Sequence, residues 1–188
     1  MISLLTEPLP VCIEADGRQL PIVTDFRDWV KFILLLGDKT LDDRMKAAML
    51  TEWLLTPQPL TREIVEGLRY FCEAMPLEPD RPEQDAETEP YAKPPVWDWE
   101  QDAKYVLGDF RRYYGMDLLR LDYLHWWEFK ALFLALPTES RSMERIGIRG
   151  TDLSKIKGKE QKKRMAELQR RIALPFQVDE DAIAEVFL

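Results

Sequence analysis

Apolar positions recur along this chain with two different periods. Near the N-terminus, Val11-Cys12-Ile13 and Leu20-Pro21-Ile22-Val23 are short apolar runs flanking Ala15-Asp16-Gly17-Arg18. Asp-Gly between two such runs signals a hairpin, because both turn residues must take positive φ. Pro21 has no amide proton and so belongs at a sheet edge or an irregularity. A lone hairpin is marginal in water, so this one is expected to pack on helices.

Beyond residue 24 the period lengthens to that of an α-helix. Thr24 or Asp25 can cap a helix carrying Phe26, Trp29, Val30 and Ile33 and ended by Gly37. Thr40 with Asp43 reads as a capping box for a second, with Leu41, Met45, Ala48 and Met49 on one side. Thr61 caps a third, whose Ile64, Val65, Leu68, Phe71, Cys72 and Met75 form the cleanest apolar face in the chain, and Pro76 closes it. Asp98 with Gln101 opens a helix through Ala103, Val106, Phe110 and Tyr113, ended by Gly115. From Leu121 to Leu136 only Asp122, His125, Glu128 and Lys130 are not apolar, and they form no single stripe. A helix apolar nearly all round is buried on several sides, which predicts a central core helix. Thr138 to Ile148 reads as a short helix, and Asp179 caps a last one.

Composition changes this picture in two places. Residues 76–95 hold six of the thirteen prolines together with a run of Glu and Asp, too little apolar surface to repay ordering, which predicts a mobile acidic loop. Residues 149–171 carry nine Lys or Arg against Asp152, Glu160 and Glu167, with only Met165, Leu168 and Ile172 as an apolar stripe. The prediction is therefore a mainly α fold: a compact helical domain with a small N-terminal β-hairpin and a mobile acidic loop. Its segments are 1–24 (hairpin packed on the helices), 25–75 (first helical half), 76–96 (acidic loop), 97–150 (second helical half with the central aromatic helix) and 151–188 (basic helix and apolar C-terminal tip). Trp29, Phe71, Phe110, Gly115, Leu124, Trp126, Trp127 and Phe129 are the expected structural core, Gly115 as a helix-ending residue in the left-handed conformation.

The 188 residues carry a formal net charge of -8, which argues against a dedicated nucleic-acid binder. The basic stretch lacks the aromatic residues that would stack single strands. Cys12 and Cys72 are far apart, with no CxxC spacing, and read as two reduced thiols of an intracellular protein. No secretory leader and no 18-residue apolar run is present, so neither export nor a membrane partner is expected.

Candidate chemistry is sparse. His125 is the only histidine and has no nucleophile signature to serve, so it reads as structural. One histidine and two distant cysteines cannot assemble a zinc site, and no phosphate-cradling glycine motif occurs. No catalytic residue, metal or cofactor is expected. The features suited to binding protein are Lys157, Lys159, Lys162, Lys163, Arg164, Arg170 and Arg171, with Ile183, Val186 and Phe187 of the tip. Such a helix is better suited to docking on an acidic amphipathic partner than to stabilising its own domain.

Residue order adds a resemblance. Thr24-Asp25-Phe26-Arg27-Asp28-Trp29, Tyr105 with Phe110, Tyr114-Gly115-Met116-Asp117-Leu118, Leu124-His125-Trp126-Trp127 with Phe129, Leu132 and Leu136, then Met143, Arg145, Ile146 and Arg149, resemble the bacteriophage gene-product-fifteen family. The Tyr-Gly-x-Asp-Leu to Leu-His-Trp-Trp block is its most specific part; the long Pro/Glu loop departs from it. The resemblance spans about residues 20–175. It implies a protein of siphophages and prophages of Gram-positive hosts, encoded between the tail tube and tape measure genes, and little enzymatic chemistry. The expected function is tail morphogenesis through protein binding, as a tail assembly chaperone for the tape measure protein in the host cytoplasm. The alternatives are a structural tail accessory or completion protein kept in the virion, and an enzyme using His125. Self-association is left open as a second mode of binding.

Overall fold

The computed structural model describes residues 6–73 and 96–174, and its secondary structure is mainly helical with one two-stranded sheet. The chain sorts into two units that interleave in sequence: unit 1 is Met1–Ala86 with Asp117–Ala135, and unit 2 is Glu87–Met116 with Leu136–Leu188. The stretch read as a second helical half therefore supplies helices to both. The predicted acidic loop, except Val96, and the apolar C-terminal tip lie outside the described residues.

In unit 1, strands β1 (Cys12–Ala15) and β2 (Arg18–Pro21) pair antiparallel around Asp16 and Gly17. Both turn residues have positive φ, 52° and 68°, as the sequence required. The hairpin packs on helix α3 (Arg62–Glu73), burying Ile13, Ala15 and Leu20. Thr61 caps α3 through its hydroxyl, which accepts the Ile64 N–H at 3.2 Å. That same hydroxyl donates to the Asp16 carboxylate at 3.0 Å, joining turn to helix.

Helix α1 (Phe26–Gly37) starts at Asp25, whose carboxylate accepts the Arg27 N–H. Its buried residues are Phe26, Trp29, Phe32 and Leu35; Val30 and Ile33, predicted for that face, are only half-buried. Helix α2 (Asp43–Leu50) is capped by Asp42 rather than Thr40, because Thr40 is engaged with the Asp38 carboxylate. Its predicted apolar side is largely in solvent: Met45 and Met49 are exposed, and Leu50 is the buried residue.

Helix α4 (Ala103–Asp109) belongs to unit 2 and starts later than the predicted Asp98, whose carboxylate instead shapes the preceding turn through the Glu100 and Gln101 N–H groups. Helix α5 (Trp126–Leu134), the aromatic helix, belongs to unit 1 and is shorter than the predicted 121–136. Its first turn is displaced by pairing with the entry to α1: Phe26 N–H donates to Leu124 O at 2.9 Å and Trp126 N–H to Thr24 O at 2.8 Å. Arg27 donates to the carbonyls of Leu118 and Leu121, the second of which a helix beginning at Leu121 would have needed.

The core of unit 1 is a set of rings in mutual contact. Trp29 lies 4.6 Å from Phe71 and 5.1 Å from Phe32, Phe71 lies 5.4 Å from Trp127, and Phe26 stacks on Phe129 at 4.5 Å. Tryptophan is used where a carbonyl needs a donor inside. The indoles of Trp29, Trp53, Trp126 and Trp127 donate to Val23, Asp28, Cys72 and Phe71 carbonyls respectively. The last two are carbonyls in the last described turn of α3. Leu134 of α5 is exposed, so the helix is not buried all round.

Unit 2 continues α4 into a π turn at Phe110–Tyr114, ended by Gly115 at φ 67°. Gly115 is exposed: its contribution is that left-handed conformation, and it is not a packed core residue. Helix α6 (Arg141–Gly150) is capped twice, by Ser140 and by Asp109 of α4, whose carboxylate accepts the Arg141 and Ser142 N–H groups. Helix α7 (Lys159–Ile172) packs on α6, with Met165, Leu168 and Ile172 half-buried. Gln169 donates to Ile148 and Thr151 carbonyls, and Arg149 to Ile172 O at 2.7 Å. The expectation that the basic segment contributes little to its own domain is thereby corrected: its polar side chains bind it to α6.

Buried Asp102 is the electrostatic centre of unit 2. Its carboxylate meets Arg149 at 3.1 Å and Arg145 at 3.2 Å, and the Arg145 guanidinium lies over the Tyr105 ring. Burial alone would raise its pKa, but the hydrogen bond from Arg149, the backbone at Asp98 and both guanidiniums together hold it below 3.8.

Candidate functional site

His125 sits at the N-cap of α5. Its Nδ1 accepts the Trp127 N–H at 3.1 Å, which places the proton of the neutral ring on Nε2, donating to Pro10 O at 2.9 Å. Burial lowers its pKa, outweighing the Pro10 carbonyl and Glu128. Both nitrogens are thus engaged with backbone, and the Phe71 and Trp127 rings flank the imidazole. That is the arrangement of a capping residue. Among the described residues, no three His, Cys, Asp or Glu side chains are grouped to hold a metal ion.

Lys130 on α5 reaches the same α3 carbonyl as Trp126, donating to Cys72 O at 2.8 Å, with its ammonium 5.3 Å from the Trp126 ring. Burial brings its pKa down to about 8 and pushes the Cys72 thiol up to about 12. Cys72 is therefore an inert thiol, and Cys12 is also free, though half-exposed. The Lys130 shift has a checkable sign. Above pH 8 the folded chain sheds a proton that the unfolded chain keeps up to about 10.5. Stability contributed at this site should therefore rise across that window. Equilibrium unfolding of wild type and Lys130→Met, compared at several pH values, should give a difference that moves in favour of wild type as pH rises. A difference independent of pH would refute it.

Two surfaces remain. The first is a groove of about 610 Å³ in unit 1, between the hairpin and α3. Ile13, Phe71 and Trp127 form its buried floor; Glu14, Gln19, Glu63, Glu66 and Tyr70 line its exposed rim. No Lys or Arg lines it among the described residues. Glu63 accepts the Asp16 N–H and Glu66 pairs with Arg62, while the Glu14 side chain has no ion or hydrogen-bond partner among the described residues. Sequence reading missed this groove. Its signal was the stripe Glu63, Glu66 and Tyr70 at helical spacing beside the apolar face of α3, meaningful only once the hairpin had been placed.

The second surface is the exposed side of α7 and the turn before it. Lys157, Lys159, Lys162, Lys163, Arg164, Arg170 and Arg171 are all exposed, so the structure places the predicted basic residues in solvent on one short segment. Their predicted partners in the tip, Ile183, Val186 and Phe187, lie outside the described residues. The predicted core residues Trp29, Phe71, Leu124, Trp126, Trp127 and Phe129 are buried in unit 1 and Phe110 in unit 2.

Residues 5–174 match the family described as Bacteriophage Gp15 protein. The chain belongs to that family. Its most specific sequence block maps onto the Gly115 helix end and the His125-Trp126-Trp127 cap, both of which backbone geometry and packing account for. No curated protein and no solved structure matches the chain. No helix among the described residues is long and apolar enough to cross a membrane.

Proposed function

We propose that this family member works in phage tail morphogenesis by binding protein, as an assembly chaperone for the tape measure protein in the host cytoplasm. The observation that carries the reading is the exposed basic face of α7. Lys159, Lys162, Lys163 and Arg164 have no ion partner among the described residues. A row of cations on a helix whose apolar side is already used on α6 suits an acidic, helical partner segment, with charge guiding encounter. Membership of a bacteriophage family supports the setting.

Truncating the chain after Gly150 would not isolate this surface, because it also removes the bond from Gln169 to Ile148 of α6 and the contact of Arg149 with Ile172 O. Charge reversal is cleaner. Lys159→Glu, Lys162→Glu and Lys163→Glu together should leave thermal unfolding nearly unchanged and abolish capture of the co-expressed tape measure protein. Capture at full yield would reject α7 as the docking element. Mass spectrometry of purified particles should find the protein missing from mature tails; stoichiometric retention would favour a structural tail component instead.

A further inference from the structure

We propose that the basic face of α7 in one copy of the chain seats against the acid-lined groove of unit 1 in a second copy, giving self-association through a helix–groove contact. This goes beyond the chaperone reading and does not depend on it.

Charge complementarity selects the occupant. The groove carries Glu14, Glu63 and Glu66 on its rim and no Lys or Arg among its described lining residues. Helix α7 carries the matching surplus of exposed cations. Spacing agrees as well. Glu63 and Glu66 lie three residues apart on α3, and Lys159 and Lys162 three apart on α7, so both helices repeat charge at the same step of about 5–6 Å. Tyr70, one turn beyond Glu66 and exposed, offers a ring face to a lysine stem or guanidinium. Pocket volumes of about 300–1,000 Å³ hold small ligands, and about 610 Å³ accommodates several long side chains, though not a whole helix. Contact is thus by side-chain insertion over a modest area, against a net charge of -8 per copy, so the association is weak and salt-sensitive. Groove and helix are different patches, so the contact can be made reciprocally between two copies or repeated from copy to copy.

Sedimentation velocity on the full chain tests this. At low ionic strength the weight-average mass should rise with concentration above the 22.1 kDa monomer. It should return to monomer near 1 M salt, where the Debye length is about 3 Å. A groove variant, Glu14→Lys with Glu66→Lys, and a helix variant, Lys162→Glu with Lys163→Glu, should each be monomeric with unchanged circular dichroism. Mixed, they should associate again, since each supplies the patch the other lacks. The groove variant keeps α7 and should still capture the tape measure protein, which separates failure here from failure of the chaperone reading. A wild-type monomer at all concentrations overturns the proposal. So does self-association that survives in either variant, or a mixture that stays monomeric.

Discussion

Trp127→Ala should lower the free energy of unfolding by about 3–5 kcal/mol, the cost of truncating a buried aromatic residue. Trp127 is 4% exposed, lies 5.4 Å from the Phe71 ring and donates its indole N–H to Phe71 O at 2.9 Å. Alanine removes the volume and leaves a buried carbonyl without that donor. Trp127→Phe separates the two contributions: it keeps most of the ring and should cost about 0.5–1.5 kcal/mol for the lost hydrogen bond. Urea unfolding followed by far-UV circular dichroism measures both. A loss below about 0.5 kcal/mol for the alanine variant, typical of an exposed site, would show that α5 does not anchor the core.

Asp102→Ala should cost a comparable amount in unit 2, about 3–5 kcal/mol, because it leaves a buried cation without its counterion. The Arg149 side chain is 6% exposed and Arg145 21%, so neither guanidinium recovers full hydration when the carboxylate is removed. Asp102→Ala combined with Arg149→Met should cost much less than the sum of the two single changes, since the second relieves the orphan charge created by the first. Strict additivity in that double-mutant cycle would mean the pair is not coupled. The same site carries a pH dependence. With the Asp102 pKa held below 3.8, its stabilising contribution is complete above the unfolded-state value and is lost as pH falls through the lowered one.

Local signals survived the passage from sequence to structure, and long-range ones did not. Asp16-Gly17, the Thr61 cap and the Gly115 helix end were legible because each is a short-range rule about φ or a nearby donor. The start of α5 was not. Residues 121–124 have helical composition, but the Leu121 and Leu124 carbonyls are claimed by Arg27 and Phe26, nearly a hundred positions earlier. Likewise Asp42 could not be told from Thr40 as a cap without knowing that Asp38 had engaged Thr40. Of the two surfaces, the basic residues of α7 were visible as a run of charge. The groove was not, because its floor joins Ile13, Phe71 and Trp127 from three separate stretches of chain.

The interleaving of the two units has a consequence during synthesis. Unit 1 is assembled from Met1–Ala86 and Asp117–Ala135, so a nascent chain that has just completed α3 still lacks its aromatic helix. Until α5 leaves the ribosome, Phe71 has no Trp127 and Phe26 no Phe129 beside it, and the Phe71 and Cys72 carbonyls have no indole donors. At translation rates of about 5–20 residues per second, the 62 residues from Glu73 to Ala135 keep that half-built core open for roughly 3–12 s. Fragments stopped in this interval expose an aromatic surface that the finished protein hides.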